Sequence, residues 1–132
     1  MKKILCFLAV FATLNAGNLA DLKKAFSNGD YFEAYNIASK ECKNDNASAC
    51  NYLGIMYENG FRVTQDFDNA FKFYSKACEL GNAEACANEG FLIHYGKGTD
   101  QNHKNAEKYF EKSCKMGYKK GCEAAKAISP KN

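Results

Sequence analysis

Six cysteines stand on a fixed grid: Cys42 and Cys50, Cys78 and Cys86, Cys114 and Cys122 are each eight positions apart, and successive pairs are offset by 36. A period of that size marks an internal structural repeat. The same offset superposes Ala34, Ala70 and Ala106, then Lys40, Lys76 and Lys112, then Gly54 with Gly90, Gly60 with Gly96, and Gly81 with Gly117. Any fold for this chain must therefore build the same local geometry several times over.

Helix punctuation lies on the same grid. Asp30, Asp66 and Asn102 each precede an amphipathic run, and their short oxygen-bearing side chains can accept from the free amides of a helix start. Asp45, Gly81 and Gly117 fall where such runs end, where a left-handed residue is tolerated. Asn46 and Asn82 follow and can cap the next helix, which Gly60 and Gly96 close. The spacing predicts helices over 31–44, 47–59, 67–80, 83–95, 103–116 and 119–128, with a leading helix from Leu19 to Phe26. Phe67, Ala70, Phe71, Tyr74 and Ala77 keep the spacing of a buried helical face. One helix pair cannot bury both its faces, so the pairs must stack into a right-handed all-α solenoid of about three repeats whose concave side is a natural binding surface.

Each cysteine pair brackets a helix end, a turn and the next helix start, as in Cys78-Glu-Leu-Gly-Asn-Ala-Glu-Ala-Cys86. A helix hairpin brings those positions together, so disulfides Cys42 to Cys50, Cys78 to Cys86 and Cys114 to Cys122 are expected. A zinc site of four thiolates is the alternative, and it needs a reducing compartment. The N-terminus argues against one: Lys2 and Lys3 precede an apolar run from Ile4 to Leu14 with small residues after it, the pattern of a secretory signal peptide. That run is too short for a stable membrane span. Cleavage is expected after Ala16, or as late as Ala20, leaving one domain over 17–132 in the periplasm or outside the cell. Cys6 leaves with the signal, so seven cysteines become six, and the net charge of +3 loses two lysines to become +1. A near-neutral chain lacks the basic footprint of a nucleic-acid binder. The charge is uneven, however. Residues 97–132 hold nine Lys against four Asp and Glu, and Lys104, Lys108, Lys112, Lys115, Lys119 and Lys120 can attract an acidic partner.

The segment from Leu53-Gly54-Ile55-Met56-Tyr57 through Gly60 to Asp66, followed by Ala70 and Lys76-Ala77-Cys78, resembles a Sel-one-like repeat, a relative of the tetratricopeptide repeats. The cysteine spacing resembles the secreted, disulfide-rich Helicobacter cysteine-rich protein family. The third copy departs from the second at Glu89, Ile93, Thr99 and Asn102, which stand where Leu53, Tyr57, Val63 and Asp66 do; these changes bear on loop geometry rather than fold. The resemblance implies a disulfide-stapled repeat protein and, by what is described for that family, a penicillin-binding protein with weak β-lactamase activity.

The residues do not themselves spell out that chemistry. Ser39, Ser75 and Ser113 are followed three positions on by Cys42, Cys78 and Met116 rather than the lysine of serine β-lactamases, so no catalytic residue is assigned. With two histidines, His94 and His103, no metal site or cofactor is expected, and both read as ordinary surface residues. Lys40, Lys76 and Lys112 read as a solvated helix face. The reading that remains is a binding module for a protein, peptide or cell-wall-derived ligand, with β-lactams as the alternative implied by the resemblance. Positions that differ between copies on the second helix of each pair are free to contact that ligand: Asn51, Tyr52, Ile55, Glu58 and Asn59 in one copy, Asn88, Phe91, His94 and Tyr95 in the next.

Overall fold

The computed structural model describes residues 18–130, so the segment expected to be a signal peptide over 1–16, with Cys6, lies outside the described residues. Residues 18–27 are helical (α1), followed by α2 (Tyr31–Lys43), α3 (Ala47–Asn59), α4 (Phe67–Glu79), α5 (Ala83–Tyr95), α6 (His103–Lys115) and α7 (Lys119–Ile128), with no strand among the described residues. The caps lie where the grid puts them. Asp30, Asp66 and Asn102 accept from the amides of Glu33, Asn69 and Asn105, and Asn46 and Asn82 from those of Ala49 and Ala85. At the corresponding place before α7 stands Tyr118, which makes no such bond, because its hydroxyl is too far from its own backbone to cap. Asp45 adopts the left-handed conformation that Gly81 and Gly117 supply elsewhere, at φ 62°.

Successive helices pack antiparallel, and α3 meets α4, as α5 meets α6, more extensively than α2 meets α3 or α4 meets α5. The recurring glycines explain the tight pairs. The ring of Tyr74 lies directly on Gly54, and that of Phe110 lies so near Gly90 that an added methyl would sit 2.9 Å from it. Ala70 of α4 and Ala106 of α6 are fully buried, as is Ala34 at the matching position of α2, where small side chains let neighbouring helices close up. The looser joints carry the disulfides: Cys42 with Cys50, Cys78 with Cys86 and Cys114 with Cys122, at Cα separations of 4.7, 4.6 and 4.5 Å. Covalent staples therefore stand where packing is thinner.

α1 closes the stack beside α2 and α3. Leu22 is fully buried in the main core with Leu53, Met56 and Tyr74, and Asn18 donates to Glu41 at 3.0 Å. Of the Lys40, Lys76 and Lys112 row, Lys76 is more than part of a solvated face, whereas Lys40 and Lys112 are exposed. Lys76 donates to the carbonyl of Cys42 at 3.0 Å and pairs with Asp45 at 3.4 Å, so it holds α4 against the turn between α2 and α3. The loops 60–66 and 96–102 share one path despite their different side chains. Gly60 and Gly96 are left-handed, as are Arg62 and Gly98, and Gln65 and Gln101 donate to the carbonyls of Glu58 and His94 at 2.8 and 2.9 Å. The substitutions at Ile93, Thr99 and Asn102 leave the loop unchanged because its bonds run through backbone groups and this repeated glutamine.

Candidate functional site

The nine candidate positions come from α3 and α5; six of them line two clefts rather than one groove, and Glu58, Asn59 and Asn88 line neither. Phe91, His94 and Tyr95 line the larger, of about 570 Å³, between α5 and α7. Its floor is Phe110, which meets Phe91 edge to face at 4.7 Å, and its far wall is Ala124, Ala127 and Ile128 of α7, with Lys120 and Glu123 on the rim. Tyr95 is 61% exposed and Phe91 39% exposed. Two large apolar rings left open side by side are uncommon on a soluble surface unless something covers them. Lys97 holds its ammonium 5.8 Å from the Tyr95 ring, adding to the local positive charge.

Asn51, Tyr52 and Ile55 line the smaller cleft, of about 350 Å³, between α3, the end of α1 and the start of α5. Phe26 of α1 packs on Tyr52 at 5.0 Å, and burial together with Glu84 raises the Tyr52 hydroxyl above its usual pKa. Here two polar side chains of the lining, Asn51 and Asn82, are already engaged. Asn51 is buried and accepts from Asn88 at 3.1 Å, joining α3 to α5. Outside both clefts, Glu58 accepts a hydrogen bond from the hydroxyl of the buried Tyr74 at 2.5 Å, and burial, followed by this bond, drives that phenol's pKa upward. Asn59 donates to Ile55 O at 2.8 Å near the end of α3.

Two features escaped the sequence reading. Glu89 is a buried carboxyl, 1% exposed, inside the stack. Burial raises its pKa to about 7, although hydrogen bonds from Ser75 and Tyr109 and the charge of Lys112 pull the other way, with Glu79 adding to the rise. The second is the histidine pair: His94 and His103, expected as separate surface residues, bring their Nδ1 atoms within 2.9 Å of each other.

The sequence profile described as Sel1 repeat matches residues 47–82 and 83–118. The chain belongs to the Sel1 repeat family. In the Sel1 register each unit is α3 with α4, or α5 with α6, the tightly packed pairs; the Cys78 to Cys86 bond then joins consecutive units instead of lying within one. Among solved structures, cysteine rich protein B of Helicobacter pylori is 31% identical, with 79% of this chain and 94% of that one covered and a TM-score of 0.66. A Sel1 repeat protein from Oxalobacter formigenes is 27% identical at a TM-score of 0.68, covering 72% of this chain and 39% of its own. A protective antigen of uropathogenic Escherichia coli with the same fold is 26% identical at 0.69, with coverages of 73% and 21%. A comparison with curated protein sequences gives no match. A Sel1 fold stapled by three disulfides is that of a repeat protein acting as an interaction module. The disulfides fit an oxidising compartment, and among the described residues no helix is long and apolar enough to cross a membrane.

Proposed function

We propose that this is an exported Sel1 repeat protein whose cleft between α5 and α7 binds a segment of a partner protein carrying an apolar side chain flanked by acidic residues. The observation that carries the reading is the pair of exposed rings, Phe91 and Tyr95, over an apolar floor. Lys120 on the rim, opposed there by Glu123, and Lys97 beside Tyr95 supply the complementary charge, in a segment, 97–132, that holds nine Lys against four acidic residues. Such a field favours acidic flanks and speeds encounter. The smaller cleft is the weaker candidate, since Asn51 and Tyr52 already serve the fold.

Selection from a displayed peptide library against the oxidised protein tests this. Enriched peptides are expected to pair an aromatic or aliphatic residue with Asp or Glu. Tyr95→Ala should weaken their binding by roughly 1–3 kcal/mol, the size of an interface anchor, with little change in melting temperature. Tyr52→Ala should instead lower stability and leave affinity unchanged. Peptides that bind Tyr95→Ala as tightly as the parent protein would remove the cleft from consideration. Mass-resolved incubation with a penicillin separates the alternative of a β-lactam hydrolase, which predicts turnover above buffer or a covalent adduct.

Export is part of the same reading. The Asn18 contact to Glu41 supports cleavage after Ala16, because cleavage after Ala20 discards Asn18 and Leu19 from the packed end of α1. Intact mass of the protein recovered outside the cytoplasm is expected to begin at Gly17; a start at Asp21, or retention of Met1, would contradict it.

A further inference from the structure

His94 lies in the last turn of α5 and His103 is the first residue of α6. Between them the loop doubles back through left-handed Gly96 and Gly98, and the Gln101 side chain fastens it to the His94 carbonyl at 2.9 Å. The ring centroids stand 4.6 Å apart at 61°, and Tyr95 packs edge-on to the His94 ring at 4.8 Å, which restricts its rotation. The backbone thus presents two imidazoles to one point at the rim of the cleft.

We propose that His94 and His103 chelate one divalent transition-metal ion that prefers tetragonal geometry, Cu²⁺ foremost and Ni²⁺ next. The bite of the pair suits such an ion. Imidazole to metal bonds of about 2.0–2.1 Å that meet at a right angle place their nitrogens about 2.9 Å apart, the separation found between the two Nδ1 atoms. A tetrahedral centre with the same bonds needs about 3.3 Å, so the pair discriminates against zinc by geometry as well as by the ordinary affinity order. Without metal, one ring must donate its Nδ1 proton to the other. Moving that proton to Nε2 frees both Nδ1 lone pairs, and small rotations about the broad final torsion of each histidine turn them to a common point. The C-terminal dipole of α5 favours a cation beside His94; the Lys97 charge opposes it. Among the described residues no group of three or more His, Cys, Asp or Glu converges, so the site supplies two ligands and water completes the coordination. The inference does not depend on the partner segment.

Copper titration of the oxidised protein, followed by electron paramagnetic resonance, is the test; with the six grid thiols bridged, those sulfurs do not compete. One equivalent of Cu²⁺ is expected to bind near neutral pH with a tetragonal signal showing two histidine nitrogens. His94→Gln and His103→Gln should each weaken binding by at least about tenfold, since even outer-shell partners of metal ligands cost about 10–100-fold. Circular dichroism of the two variants should match that of the parent. A signal that persists unchanged in the His94→Gln/His103→Gln protein, as an N-terminal amine site would give, overturns the proposal, and so does a parent protein that binds no copper at one equivalent.

Discussion

Reduction of all three disulfides is expected to abolish the cooperative helical fold. Each bond closes a short loop across a hairpin, with partners eight residues apart, and the chain-entropy account gives roughly 2–3 kcal/mol apiece for loops of this size. Three together reach roughly 6–9 kcal/mol, comparable to the roughly 5–15 kcal/mol that holds a whole domain folded. Their placement sharpens the effect. The first two bonds cross joints where the helices pack less extensively than in the Sel1 units, and in a linear array each unit leans only on its neighbours. Loss of the central bond, by Cys78→Ala with Cys86→Ala, should therefore lower the melting temperature more than loss of the bond between Cys114 and Cys122. Accessibility predicts the opposite order for chemical attack. Cys50 and Cys86 are fully shielded, whereas Cys114 and Cys122 are half-buried, so mild reductant should open the last bond first. Calorimetry with and without reductant, together with mass mapping of alkylated thiols, reads both. A fully reduced protein melting at the oxidised temperature would show that packing alone suffices.

The parts of this fold that were legible in the sequence are those decided within a few residues. Asn46 caps its helix because the amide it serves lies three residues away, and the cysteines of each pair meet because one turn joins them. The left-handed Asp45 was legible for the same reason. What the grid could not report is how copies differ in what surrounds them. Tyr52 and Phe91 both stand on the variable side of their helices, yet Phe26 from α1 covers Tyr52 while Phe91 remains open beside α7. Nine residues of separation made His94 and His103 look independent. The loop between them reverses direction at Gly96 and Gly98, and Gln65 with Gln101, a recurrence at 36 that the reading overlooked, was the available sign that both loops return to their starting helix. Glu89 was noticed only as a departure from Leu53; its burial is decided by α4 and α6, which local sequence does not display.

Raising the pH from about 5 to about 8 is expected to weaken the α4, α5 and α6 stack, and Glu89→Gln is expected to remove that sensitivity. Four groups face the buried carboxyl: Ser75 and Glu79 from α4, Tyr109 and Lys112 from α6. Burial dominates, so the folded protein holds the Glu89 proton up to about pH 7, against a value of 4.5 for the free side chain. At the acid end both states are protonated and the group is neutral in its effect. Between the two values the unfolded chain releases a proton that the folded one keeps, so stability falls as pH rises; above about pH 7 the loss is complete at about 3 kcal/mol. Gln keeps the shape and can still accept from Ser75 and Tyr109, but carries no charge to desolvate. Urea unfolding of both proteins across this range is the measurement, and the comparison cancels titrations that the two share. Parent and variant should agree near pH 5 and diverge near pH 8, with the variant the more stable. Parallel profiles would mean that the donors and Lys112 keep Glu89 ionised in the folded protein throughout, and the carboxyl would then be a permanent charged tie between repeats rather than a proton-dependent one.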